Sequence, residues 1–135
     1  IVREAPPLVE MTMIGYVTLG TNDLPRAAAF YDALLASIGA TRFMEAERFV
    51  AWAVDPDQPS LGVILPFDGK PASVGNGVMV ALAMDSPAKV DALHARALAL
   101  GGTDEGAPGP RGSGFYAGYF RDLDGNKLNA FCMGG

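Results

Sequence analysis

The chain repeats itself, and that repetition limits its fold more than any other feature. Pro25 and Gly39 stand fourteen residues apart, and so do Pro87 and Gly101. Each proline follows a residue able to cap a helix: Asn22 or Asp23 in the first copy, Ser86 in the second. A proline in the first turn gives up only an N–H that lacks a helical partner anyway, and a glycine after the last turn ends the helix. Between these signals apolar residues recur at three- and four-residue spacings. They are Ala28, Tyr31, Leu34, Leu35 and Ile38 in a helix to about Ser37, then Val90, Leu93, Ala97 and Leu100 in the second.

Strand signals surround both helices in the same order. Met13–Gly20 precedes the first helix, and Thr41–Glu45, Phe49–Val54 and Leu61–Phe67 follow it. Val78–Met84 precedes the second helix, with Gly102–Asp104, Phe115–Arg121 and Lys127–Met133 after it. Superposition places Tyr16 on Met79, Val17 on Val80 and Leu19 on Leu82. Farther on, Asp55-x-Asp57-x-x-x-Leu61 matches Asp122-x-Asp124-x-x-x-Leu128, which sets Trp52 on Tyr119, Phe49 on Tyr116 and Gly62 on Asn129. A duplicated strand–helix–three-strand unit dictates an α+β fold, with a curved mixed sheet packed against one helix per unit. The first βαβββ module spans 11–67, a linker without apolar period spans 68–77, and the second module spans 78–135. Residues 1–10 read as a leader or expression remnant, with Met11 or Met13 as the expected native start.

Composition narrows the function classes. Half of the residues are hydrophobic and 19% are charged, so the chain can bury a core and is not a disordered one. The seventeen glycines and ten prolines punctuate many short elements. A formal net charge of −5 without a basic cluster argues against nucleic acid and anionic membranes. The single cysteine, Cys132, rules out an intrachain disulfide framework, and no apolar run reaches the length of a membrane span. A cytoplasmic protein is the expectation.

The stretches VTLGTNDLPRAAAFYDALL and GTDEGAPGPRGSGFYAGYFRDLDGNKLNAF, in this repeat order, resemble the vicinal oxygen chelate superfamily of glyoxalases, bleomycin-resistance proteins and extradiol dioxygenases. The resemblance covers residues 13–133 and implies a bacterial-type protein in which two sheets form a cup, commonly as a homodimer. It also implies a divalent metal held by the first and fourth strands of each unit, through His, Glu or Gln. Carried over residue by residue, those positions fall on Tyr16, Met79 and Asn129, with the fourth on Gly62, or on Val63 if the register slips by one. Tyr is a rare ligand, a thioether favours soft ions, a neutral amide is weak and glycine offers no donor. The expectation is therefore no metal and no other cofactor, and metal-dependent isomerisation or ring cleavage would lose its electrophile.

The strand period of two sets Tyr16 and Thr18 on one face, and Asn129 and Phe131 on one face. The expected cup lining is Tyr16, Gly62, Met79 and Asn129, joined by the aromatic Trp52, Tyr116 and Tyr119. Arg111, in the glycine-rich loop 106–114, could reach over the mouth to an anionic ligand. Other residues carry plainer readings. His94 reads as a surface or boundary helix histidine, Cys132 as a small buried hydrophobe, and Glu45 and Glu47 as solvated carboxylates. The linker lacks phosphate-loop spacing. The function expected is binding of a small aromatic or amphipathic molecule, as bleomycin-resistance members do by binding alone. The alternative is a lyase- or dioxygenase-like enzyme, with a non-standard metal site or with Tyr16 as acid.

Overall fold

The structure, a computed structural model, describes residues 13–134. Eight strands and two helices follow one another as two βαβββ modules. The first contains β1 (Tyr16–Gly20), α1 (Leu24–Ala36), β2 (Thr41–Ala46), β3 (Phe49–Ala53) and β4 (Ser60–Ile64). The second contains β5 (Val80–Ala83), α2 (Pro87–Ala99), β6 (Thr103–Pro110), β7 (Phe115–Arg121) and β8 (Lys127–Met133). Each module makes one four-stranded sheet, in the orders β1-β4-β3-β2 and β5-β8-β7-β6. The first strand of each runs parallel to the fourth and the remaining pairings are antiparallel. The proposed leader, residues 1–10, lies outside the described residues.

The cap signals hold. Asp23 caps α1 by accepting from Arg26 N at 3.1 Å, and Ser86 caps α2 by accepting from Lys89 N at 3.2 Å. Gly39 and Gly101 follow the helices at φ +83° and +105°, backbone that L side chains rarely adopt. Each helix lays its apolar stripe on its sheet. Ala27, Ala28, Phe30, Tyr31, Leu34 and Leu35 are buried on α1, and Val90, Leu93, His94 and Ala97 on α2. They share one core with Leu19, Val50, Trp52, Leu61 and Val63 of the first sheet and Phe120, Leu128, Ala130 and Cys132 of the second.

The sequence expectations need three corrections. β6 continues through Pro110, so much of the expected loop 106–114 is strand. β6 is an edge strand, where a missing N–H leaves no ladder bond unmade, and this tolerates Pro108 and Pro110. Three strand ends are shorter than expected: β1 starts at Tyr16, β4 stops at Ile64 and β5 starts at Val80.

The third correction concerns register. Leu61 pairs with Trp52, and its repeat mate Leu128 pairs with Phe120. Trp52 therefore corresponds to Phe120, not to Tyr119, and Ala51 corresponds to Tyr119. On β1, β4, β5 and β8 the superposition holds, because Thr18 pairs with Gly62 as Ala81 pairs with Asn129.

The two modules meet around the Asp122–Asn126 turn. Asp122 is 5% exposed, and its carboxylate accepts from Asp124 N, Asn126 N, Asn126 Nδ2 and, at 2.7 Å, the Tyr31 hydroxyl of α1. Asn126 Nδ2 also donates to Gly20 O at 2.9 Å. Asn22 is a second junction. Its N–H donates to Asp124 Oδ1, while its side-chain amide accepts from Ala72 N and donates to Ala72 O. The linker is thereby fastened beside the start of α1.

Candidate functional site

Each sheet has one face on its helix and one face turned away, called here the open face. Strand alternation assigns every candidate residue to one or the other. On β4, Leu61 and Val63 join the core, which leaves Gly62 on the open face; a Cβ there would lie 2.7 Å from Phe49 Cε1. The ring of Phe49 thus occupies the space a side chain at 62 would need. Thr18 and Tyr16 share this face on β1, and Tyr16 is 68% exposed. Val63, the one-residue alternative, points into the core at 1% exposure.

On the second sheet, Leu128, Ala130 and Cys132 enter the core, so Lys127, Asn129, Phe131 and Met133 form a row on the open face of β8. Across from it on β7 stand Arg121, Tyr119, Ala117 and Phe115, paired with Lys127, Asn129, Phe131 and Met133. Met79, just before β5, is half-exposed at its edge. It opens with Lys127, Arg121, Val78 and the linker stretch 74–77 onto a cavity of about 450 Å³.

Two of the expected lining residues belong to the other face. Trp52 is 2% exposed, donates its indole N–H to Asp32 Oδ1 at 2.8 Å and lies 5.6 Å from the Tyr31 ring. Tyr116 donates its hydroxyl to Asp91 Oδ1 of α2 at 2.6 Å, and this bond to a carboxylate is the first reason its acidity is weakened. Both are turned toward the helices by the alternation of their strands. Trp52 also borders a wider, apolar cleft of about 610 Å³ between the modules, shared with Leu35, Ile38, Val54, Leu82 and Met84.

Tyr119 does reach the open face, where it gathers charge. Arg111 Cζ lies 5.5 Å and Lys127 Nζ 5.4 Å from its ring centroid. Arg111 folds back along β6, donating to Gly109 O at 2.9 Å and Ala107 O at 2.7 Å. Beside them Asn129 is 1% exposed, and its Oδ1 has no hydrogen-bond partner among the described residues. A buried acceptor without a donor costs about 1–3 kcal/mol, and native proteins rarely keep one without a use for it. Lys127 was missed in the sequence although it stands two residues before Asn129, on the same face by strand period. Phe131, already placed on this face by the strand period, stacks on Phe115 with ring centroids 5.7 Å apart, a contact between strands that the period alone does not give.

The candidate residues thus fall into two groups. Arg111, Tyr119 and Asn129 come together with Lys127 on the second sheet, and Tyr16 and Gly62 lie on the matching face of the first. The remaining candidates are structural. His94 is buried rather than superficial; its Nε2 bridges Asp104 Oδ1 at 3.0 Å and Tyr119 O at 3.1 Å, binding α2 to β6 and β7. Asp104 is held below the usual carboxylate range, first by the Gly106 N–H and also by His94. Glu45 pairs with Arg42 at 2.8 Å on the surface, and Cys132 is buried.

A transition-metal centre does not fit the four matched positions. They offer a phenol, a thioether, an amide and, at Gly62, a neighbour's phenyl ring in place of a donor. Among the described residues no three His, Cys, Asp or Glu side chains converge, and no helix is long and apolar enough to cross a membrane.

The sequence profile of the Glyoxalase/Bleomycin resistance protein/Dioxygenase superfamily matches residues 13–130. A comparison with curated proteins gives no significant match. Among solved structures, a glyoxalase/bleomycin resistance protein from Albidiferax ferrireducens T118 is 38% identical with a TM-score of 0.82, over 90% of this chain and 98% of that one. Two more distant structures share the fold. A lactoylglutathione lyase from Agrobacterium tumefaciens is 22% identical (TM-score 0.67, 95% of this chain and 96% of that one). The fosfomycin resistance protein FosX from Mesorhizobium loti is 19% identical (TM-score 0.65, 90% and 91%).

Proposed function

The chain belongs to the glyoxalase/bleomycin resistance protein/dioxygenase superfamily, and from that premise we propose that it binds a small aromatic or amphipathic molecule on its open face without a metal ion. The observation that carries this reading is the Phe49 ring in the space over Gly62, since it removes one whole ligand position rather than weakening it. An ion at the remaining three positions would have to be held by Tyr16, Met79 and Asn129, which include no His or carboxylate. What remains suits recognition of an organic ligand, namely apolar and aromatic walls with a few polar tips.

Elemental analysis of protein purified from metal-supplemented cells tests the reading. It predicts nickel, zinc, iron and manganese far below one per chain, and stoichiometric metal that survives dialysis would sink it. A ligand screen by thermal melting supplies the positive arm, because any true ligand raises the midpoint with its concentration.

The same reading includes a homodimer. Ile14, Tyr16, Val78 and Met79, at or just before the edge strands β1 and β5, are 50%, 68%, 59% and 39% exposed, apolar surface that a second copy would cover. Light scattering on the purified chain should give twice the 14.1 kDa mass.

A further inference from the structure

Along the open face of β8, side-chain character changes in one direction: a cation at Lys127, an amide at Asn129, an aromatic ring at Phe131. The strand rise separates the first from the last by about 13 Å at the backbone. β7 repeats the sequence beside it, with Tyr119 under two cations at one end and Phe115 stacked on Phe131 at the other. Such a row has a polar end and an apolar end.

The charge at the polar end is uncompensated among the described residues. Neither Arg111 nor Lys127 forms an ion pair among the described residues, and the hydrogen bonds of Arg111 go to the neutral carbonyls of Ala107 and Gly109. Arg121, their neighbour, is neutralised by Glu105 at 3.0 Å. In a chain of net charge −5, two cations over one ring without an ion-pair partner among the described residues are a local reversal of sign. Lys127 also faces the cavity walled by the linker, so the charge is reachable. Asn129, with its orphaned Oδ1, lies between the cationic and the aromatic ends.

We infer that the ligand of this face is an amphipathic carboxylate, its anionic head held by Lys127 and Arg111 beside Tyr119 and its apolar body laid over Phe131 and Phe115. The inference rests on the binding reading above and adds the charge and the direction of the ligand. An arginine fork and a lysine ammonium both strengthen when they meet a carboxylate with little water around it.

The test uses the intact chain and two probes of one shape, 4-phenylbutyrate and its neutral amide, 4-phenylbutyramide, titrated into ¹⁵N-labelled protein. The acid should bind at least about tenfold more tightly, as expected when a charged partner is lost. Its shifts should centre on residues 119, 127, 129 and 131. Lys127→Gln and Arg111→Gln should each bring the acid toward the affinity of the amide and leave the amide unchanged, which separates lost charge from lost folding. Equal affinity of the two probes would overturn the anionic head while leaving small-molecule binding in place. No binding of either probe at ~10 mM would overturn this inference, and the binding reading would then stand or fall by the melting screen alone.

Discussion

Asn129 shows how much one side chain can tell about a site. Its Oδ1 is buried and unpartnered, so the folded chain bears a desolvation cost of about 1–3 kcal/mol that an apolar residue of similar shape would not. Asn129→Leu should therefore raise the urea midpoint, by roughly 1 kcal/mol of stability, while weakening any ligand bound on the open face. A midpoint that falls would show that the amide is serving the fold instead. The identity of this residue was legible from sequence, because the Asp-Gly-Asn turn fixes where β8 begins and the period of two does the rest. Its lack of a partner was not legible, since that depends on what Tyr119, Ala81 and Phe131 bring across from other strands.

Helices, caps and seven of the eight strands follow from local signals: Pro25 and Pro87 at the starts, Gly39 and Gly101 at the ends, alternating apolar residues between turns. The failures are equally physical. Only the start of β6 is legible, because GAPGP beyond it has the composition of a loop, and its place at the sheet edge is what makes strand geometry tolerable there. Trp52 misses the open face because the repeat superposition slips by one residue between β3 and the following turn, whereas Tyr116 misses it because it stands an odd three residues from Tyr119 on β7. A slip of one turns every side chain of a strand to the opposite face. Gly118 tests the packing of α2 on β7. A Cβ there would approach Pro108 Cγ to 2.9 Å and His94 Cδ2 to 3.2 Å. Gly118→Ala should destabilise the chain by about 1–3 kcal/mol in urea unfolding, as overpacking does, and wild-type stability would mean that α2 shifts freely on its sheet.

At the scale of the whole molecule the two halves are not equivalent. Tyr31 of α1 corresponds to Leu93 of α2, and Asp122 to Asp55, so only one of the two turns receives a phenol from a helix. Burial, followed by the nearby charge of Asp122, keeps the Tyr31 hydroxyl protonated well above its ordinary value near 10. A raised pKa in the folded state contributes stability that is complete below the unfolded value and is lost as pH rises toward the folded one. Stability should thus be flat in this respect to about pH 10 and decline above it. Tyr31→Phe should cost about 1–3 kcal/mol at neutral pH, by leaving Asp122 one donor short, and should flatten the alkaline decline. An unchanged alkaline limb in that variant would assign the decline to other groups.

Asn22 touches both halves and the segment between them: it donates to Asp124 through its backbone and clasps Ala72 through its side chain. The segment walls the cavity beside Lys127, so loosening of this clasp would let that wall shift while both sheets stay paired. The Ala72 amide, which donates to Asn22 Oδ1, is a built-in clock for that event: its hydrogen exchange can run no faster than the clasp opens, so its rate sets the least frequency of opening.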